Sequence, residues 1–483
     1  MAAKNRQSSS FDLDKTIFNF VSLIKGRYGL LVLFICISVV SCRDEQEEVR
    51  ILFTGDILLS RQVKKEYNYR KKSPFEDVKP LFHSADLVIG NLEGAVGITS
   101  ETVDTKNSPI FAIDSADIEL LSDAGFNIIT IENNHSYDLD YTGKQNTVNQ
   151  LLKNNIHPVC FDNSPYFMSV KGIVLSIITV NTVPRKNNFE NQIYSIELKQ
   201  KLRLAKSLSN IVIVSIHWGS ELLEWSNKSQ REAAKWLIAQ GADIIIGSHS
   251  HVVQNPEMVD GKPVFFSLGN HLFDQKYTAT KKGLIVEITV KNGKYQCKGI
   301  ITRTKPNSFY PELAEYVSYD FPSLDYNRKL LSINDCSLVP VSVFEQDRTK
   351  IVLEAYRKNR LQWRSFPMPL VDISTAKLDG ENEYIFALQN YYSTLDKKIS
   401  IRPYVYAVNS QGIYAKWRGS ALAFPLLDAY ISEKNPKVLC ALHSGGAYIA
   451  LNKGNTGTRI MAYEWNGFGF KGLSDSIACM YCD

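Results

Sequence analysis

The sequence predicts an α/β sandwich followed by a smaller, mainly β carboxy-terminal domain. Three observations carry this. Between residues 50 and 275 short apolar strands alternate with helix-patterned segments, and each cluster of chemistry-bearing polar residues falls just past a strand end. Beyond residue 366, helical periodicity gives way to recurring short strands.

The chain has 483 residues, 44% hydrophobic and 22% charged, which is ordinary globular composition for two or three domains. A net charge of +5 is small at this length, and no basic stripe is interleaved with aromatics. That excludes a dedicated nucleic-acid binder.

The amino terminus stands apart. A net basic leader with Lys15, Lys25 and Arg27 precedes an apolar run from Leu30 to Val40, then Ser41 and Cys42. At about 13 residues the run suits a signal peptide better than a membrane span. Val39-Val40-Ser41-Cys42 resembles a bacterial lipobox, so residues 1–42 are expected to be a lipoprotein signal and Cys42 the lipidated anchor to a membrane. The acidic tether 43–49 resembles a surface-export signal of lipoproteins. An uncleaved amino-terminal anchor is the alternative, and both readings place the remainder in the cell envelope, at the outer membrane or surface of a Gram-negative bacterium. Of the eight cysteines, six lie beyond Cys42, and their pairing cannot be read from spacing. Cys479-x-x-Cys482 has no partner CxxC, which favours a terminal disulfide or free thiols over a zinc ribbon.

Residues 50–305 form the main expected domain. An apolar strand at 49–53 ends at Thr54-Gly55-Asp56, and another at 87–89 ends at Gly90-Asn91-Leu92-Glu93. Carboxylates just past buried strands are where open α/β sheets gather functional groups, although each could equally cap a following turn. Residues 115–125 read as an amphipathic helix closed by Gly125. A strand at 127–131 then leads to Asn133-Asn134-His135. Strands at 173–180 and 211–216 follow, the second ending in His217-Trp218-Gly219. Residues 229–240 read as a helix with a Ser229/Glu232 capping box and Gly241 as its stop. The strand 244–246 runs into Gly247-Ser248-His249-Ser250-His251, and the strand 263–268 into Gly269-Asn270-His271. Five of the eight histidines thus sit at strand ends, and with Asp56, Glu93 and Asn134 they make a mixed nitrogen and oxygen set suited to divalent ions.

In this order the motifs resemble the bacterial capsule-synthesis CapA family, associated with poly-γ-glutamate biosynthesis and related to the calcineurin-like metallophosphoesterases. The resemblance implies a metallophosphoesterase-like αββα sandwich with one or two divalent ions (Mn, Fe, Zn or Mg). It implies Asp56 as a first-motif ligand, Glu93 as a bridging carboxylate, Asn134, His217 and His249 around one ion and His251 on the other. His135 would be the general acid or would orient the phosphoryl group. One departure stands out: relatives of the phosphoesterase type open with Asp-x-His, whereas Ile57 and Leu58 follow Asp56 here. His271 is open to two readings, a compensating ligand or a core residue.

Residues 306–365 read as a linker with a helix over 346–360, and residues 366–483 as an accessory β-rich domain with strands at 383–388, 401–408, 437–442 and 459–465. Asn466-Gly467 is a hairpin signal. Leu378-Asp379-Gly380-Glu381 faintly resembles a calcium loop of β-propeller repeats, with too few ligands. The functional expectation is a metal-dependent hydrolase acting on a phosphoester or polymer linkage in capsule or poly-γ-glutamate biosynthesis. The alternative is a non-catalytic accessory subunit working with capsule or polymer synthesis and export proteins. A glycan-binding role rests on carboxy-terminal aromatics alone.

Overall fold

The computed structural model describes residues 47–98, 109–185, 191–319, 321–345, 348–393, 397–419, 422, 425–444, 457–473 and 480–482. The expected signal segment, Cys42, most of the tether and Cys479 lie outside the described residues.

Side chains alternate across a strand, so a strand that is apolar at every position needs a partner on both faces. The central strands meet this demand. In β1 (Val49–Ile57), Ile51 and Phe53 face one core and Leu52 the other. In β4 (Ile211–His217), Ile211 and Ile213 face the core shared with β1, while Val212 and Val214 face a third. The result is four layers. Helices Arg61–Arg70, Glu119–Ala124 and Asp140–Lys153 cover the outer face of the first sheet through Val63, Leu121 and Leu151. Helices Ile196–Leu208 and Lys228–Gln240 cover the second through Leu202 and Leu237.

The first sheet runs Pro311–Val317, Lys294–Thr304, Lys282–Lys291, β1, β2 (Leu87–Leu92), β3 (Ile128–Thr130), His157–Val159, with β6 (Asn270–Leu272) paired parallel to β1. The second runs Glu257–Val259, Lys262–Phe265, β5 (Ile244–Ser248), β4, Ile173–Asn181, Tyr166–Val170. The αββα expectation holds. Two local details differ from the sequence reading. The helix expected at 229 starts at Lys228, and its capping box is Asn227 with Gln230, because the Asn227 side chain accepts from Gln230 N at 2.9 Å and Gln230 Oε1 from Asn227 N at 3.0 Å. The domain also does not stop at 305, since Pro311–Val317 adds a strand to the first sheet.

The helix expected over 346–360 is absent: Arg348–Arg357 is a strand of a hairpin with Cys336–Glu345. Ile351, Leu353 and Ala355 are buried at a period of two, and this strand spacing prevails over the helical reading. The strand opens a series. Residues 332–364, 370–418 and 426–472 each form a four-stranded antiparallel sheet in which sequential strands are neighbours. The sheets stack through their faces, Ile385 and Ala387 of the second packing toward the first, Phe386 and Leu388 toward the third. The Asn466-Gly467 hairpin forms, with Trp465 opposite Phe470 across a four-residue turn. Cys482 pairs with Cys440, while Cys160, Cys297 and Cys336 are buried free thiols.

The last two sheets are copies of one unit. Pro369-Leu370-Val371-Asp372 and Pro425-Leu426-Leu427-Asp428 open them, each with a register shift between the Leu and the Asp. Gln389 bonds the Tyr406 hydroxyl at 2.7 Å where His443 meets that of Tyr463 at 2.9 Å. Both equivalent carboxylates converge on Arg203 of the helix Ile196–Leu208, whose Nε lies 2.8 Å from Asp372 and whose terminal nitrogens bond Asp428 at 3.0 and 2.6 Å. Leu204 and Leu208 of that helix share a core with Leu353, Trp363 and Ile373. The duplicated unit is therefore tied to the sandwich by a shared cation as well as by that core. Replacing the cation with Met leaves two largely buried carboxylates facing each other, so Arg203→Met is expected to lower the unfolding free energy by roughly 3 kcal/mol. Guanidinium denaturation of the full chain checks this, and a loss within ~0.5 kcal/mol, the level of an ordinary surface change, contradicts it.

Candidate metal centre

The candidate residues are delivered by strand ends. Asp56 closes β1, where Gly55 permits the strand to lie against the chain leading into β6: a Cβ at Gly55 would stand 2.0 Å from Gly269 O. Asn91 at the end of β2 donates to Asp56 Oδ1 at 2.8 Å, and the backbone N–H of His249 donates to Oδ2 at 3.2 Å. Glu93 follows β2, Asn134 and His135 follow β3, His217 ends β4, and His249 and His251 lie just past β5. Both of these last residues adopt left-handed backbone, φ 91° and 56°, a strained choice for a residue with a Cβ. It turns both rings inward from a short loop.

The seven predicted site residues converge. Asp56, Glu93 and His251 place ligand atoms within 4.8 Å of one another. Asn270 Oδ1 accepts from His251 Nδ1 at 2.9 Å, which leaves Nε2 on the side of Glu93 Oε1, 3.7 Å away. Asn134, His217 and His249 form the adjoining group, with Asn134 Oδ1 2.8 Å from His217 Nε2 and the His217 and His249 rings 4.8 Å apart. Ser248 Oγ holds His217 Nδ1 at 2.9 Å. His135 stands between the groups and the surface. Asp138 fixes its Nδ1 at 2.8 Å, so its Nε2 faces Glu93 Oε1 at 3.8 Å.

The electrostatics ask for a cation. Glu93 is 0% exposed, and neither of its oxygens has a hydrogen-bond partner among the described residues. A bare buried carboxylate is costly, and it is stabilised by a bound cation or by a proton. Burial, reinforced by Asp56 and opposed by His251, pushes its pKa up to about 7. Burial would lower His251, yet Glu93 and Asp56 outweigh it and hold the imidazolium up to about 9. Burial, then the positive charge of His251, lowers His249 to about 4; burial and His249 put His217 well below the usual imidazole range. Neutral imidazoles beside carboxylates form a donor set for a borderline divalent ion, so the residues present fit the metal that the fold implies.

Leu58 occupies the place of the expected imidazole, and the structure gives it a different role. It is buried with Phe111 and Phe273 in a small apolar cluster. Phe111 stacks on His135 with centroids 3.9 Å apart, and Phe273 lies 4.6 Å from His251. One side of the centre is therefore an apolar wall. His271 resolves as a core residue, stacked on Phe75 at 6.0 Å with both ring nitrogens unpartnered among the described residues and burial lowering its pKa to about 3. Sequence reasoning missed Asp138, Asn270 and Ser248 as the groups that orient His135, His251 and His217. Their signal was proximity, since Asp138 lies one helical turn past His135 and the other two lie inside motifs already recognised.

Residues 50–275 match the model of the bacterial capsule synthesis protein PGA_cap. That segment is similar to the PGA_cap family. The PGA biosynthesis protein CapA of Bacillus subtilis (strain 168) is 28% identical over 258 residues, 50% of this chain and 67% of that protein. The capsule biosynthesis protein CapA of Bacillus anthracis is 27% identical over 270 residues, 51% of this chain and 65% of that protein. The chain thus spans about two thirds of the length of these relatives, and the residues matched to the family model stop before the three stacked carboxy-terminal sheets. Solved structures similar to it include a novel phosphatase of Mycoplasma pneumoniae (16% identity, TM-score 0.36, 53% of this chain and 94% of that one). TT1561 of Thermus thermophilus is another (13% identity, TM-score 0.29, 51% and 99%).

An ion at this centre would have to displace the proton that burial favours on Glu93 and the one that the carboxylates hold on His251. Both pKa values are raised, so protonation competes with metal below about 7 and, for His251, up to about 9. Mn2+ affinity is expected to rise at least about tenfold between about pH 6 and about pH 8. Calorimetric titration at the two pH values measures it, and a flat profile contradicts it. Glu93→Gln removes the bare carboxylate and is expected to abolish the thermal stabilisation that saturating Mn2+ confers, an effect of about 3 kcal/mol at a hundredfold excess over Kd.

Proposed function

We propose that this chain is a metal-dependent hydrolase of the capsule or poly-γ-glutamate pathway, acting on a phosphoester or polymer linkage at the cell envelope and tethered there through a lipidated Cys42. The observation that carries the reading is the fully buried Glu93 carboxylate, hydrogen-bonded by no described residue and set between His251 and His135. A divalent ion there would be held by Asp56, Glu93 and His251, with Asn134, His217 and His249 placed to hold a second. When bound, such ions polarise the reacting group and supply a water nucleophile at neutral pH.

The chain's own residues supply the rest. His135, oriented by Asp138 and stacked on Phe111, holds a proton on the side of Glu93 and gives it to the leaving oxygen. Phe111, Phe273 and Leu58 exclude water from one flank of the reacting group. Asn91 and Asn270 keep Asp56 and His251 in register.

The apolar wall at the position of the first-motif imidazole favours a second reading, a non-catalytic accessory subunit of a capsule or polymer export assembly. Two experiments separate them. Purified full-length protein is assayed for bound metal and for hydrolysis of a generic aryl phosphate across Mn2+ concentrations, and absence of both metal and turnover sinks the hydrolase reading. Under that reading His135→Ala lowers kcat by about a hundredfold to ten-thousandfold while leaving metal content unchanged. Restoration of capsule in a deletion strain by the His135→Ala, His249→Ala double variant would instead support the accessory role.

A further inference from the structure

A guanidinium at the rim of the centre is used by none of the chemistry above. Arg61 opens the helix Arg61–Arg70 with φ 55°, a left-handed conformation that is strained for any side chain with a Cβ. Its Nε lies 3.1 Å from Asp274 Oδ2, on a side chain 1% exposed, while Arg61 itself keeps 37% exposure. Its Cζ sits 5.3 Å from the centroid of Phe111, the ring that stacks on His135. Asp274 thus anchors the cation at Nε, and Phe111 sets it one aromatic ring away from the proposed acid.

This arrangement does more than fasten a helix end. Asp274 Oδ2 already accepts the backbone N–H of Gln62 at 3.3 Å, which would fix the helix start without a guanidinium. Asp274 engages Arg61 at Nε, so the planar fork of terminal nitrogens, which matches an oxyanion's geometry, is not consumed by that pair. We propose that Arg61 binds a second anionic group of the substrate, a carboxylate or phosphate one repeat along a polyanionic chain from the linkage held at His135. The proposal rests on the hydrolase reading only for where the reacting linkage sits; the anion site itself requires no turnover. It makes the substrate a polyanion rather than a simple phosphomonoester.

The probe is a γ-linked glutamate hexamer, compared with the same oligomer whose free carboxylates are amidated. Binding to the full chain is measured by calorimetry with and without Mn2+, at low and moderate salt. Wild type is expected to prefer the charged oligomer. Arg61→Met is expected to lose about tenfold of that affinity and part of its salt dependence, without changing binding of the amidated oligomer, and Arg61→Lys to recover part of the loss. A melting curve shows that each variant is folded, and Asp274→Asn, which frees the guanidinium from its anchor, is expected to weaken charged-oligomer binding by a smaller factor. Charge-independent binding by wild type, equal losses for both oligomers, or unchanged affinity in folded Arg61→Met would overturn the proposal. Charge-selective, Arg61-dependent binding without hydrolysis under any condition would leave it standing and remove the hydrolase reading. Hydrolysis that is indifferent to Arg61→Met in both KM and affinity would do the reverse.

Discussion

The buried carboxylate of Glu93 constrains everything around it. A charge removed from water must be compensated within a few ångström, and the chain does so by convergence: β3 leads into the segment bearing His135 and β5 into the strained loop bearing His251, while Asp56 from β1 adds a second negative charge that raises the demand for a cation. None of these strands is anchored by the site. They are anchored by Ile51, Phe53, Ile128 and Ile246 in the core between the sheets, whose burial at about 25 cal/mol per Å2 stabilises the frame against which site strain is held. The left-handed His249 and His251 are tolerated because the strands on either side cannot move to relieve them.

Much of the sandwich was legible because its signals are local. Isoleucine and valine runs such as 211–214 and 244–246 name buried parallel strands, and the polar motifs beyond them name the edge at which the strands end. The seven candidate residues were legible for the same reason, since a chemistry-bearing residue directly past a buried strand has few other places to go. What was not legible depends on partners distant in sequence. Leu58 reads as a missing ligand in isolation; its positive role appears once Phe111 and Phe273, 53 and 215 positions away, close over it. His271 could not be assigned until Phe75 and Phe82 were seen packed against it.

The helix expected over 346–360 fails for a related reason. Residues 346–360 contain good helix formers, Glu, Ala, Lys and Arg, and this intrinsic preference competes with the two-residue spacing of Ile351, Leu353 and Ala355. Tertiary context decides such cases, here a long hairpin with Cys336–Glu345 and a shared core with the sandwich. The duplication was visible in Pro-Leu-x-Asp at 369 and 425, and a search for internal similarity would have joined those two strings. Their function as a pair was not visible, because Arg203 lies more than 150 residues upstream and belongs to a different layer.

The wall formed by Leu58, Phe111 and Phe273 carries a consequence for which ion the centre accepts. Magnesium gives up its hydration water reluctantly and keeps several of those molecules when it binds a protein, each in need of hydrogen-bond acceptors in the next layer. Three hydrocarbon side chains offer none. An ion that sheds water readily and accepts imidazole nitrogen loses nothing by facing such a surface. The same replacement that takes an imidazole from the first motif thus leaves, on that flank, a surface with no acceptor for the water that a strongly hydrated ion would bring with it.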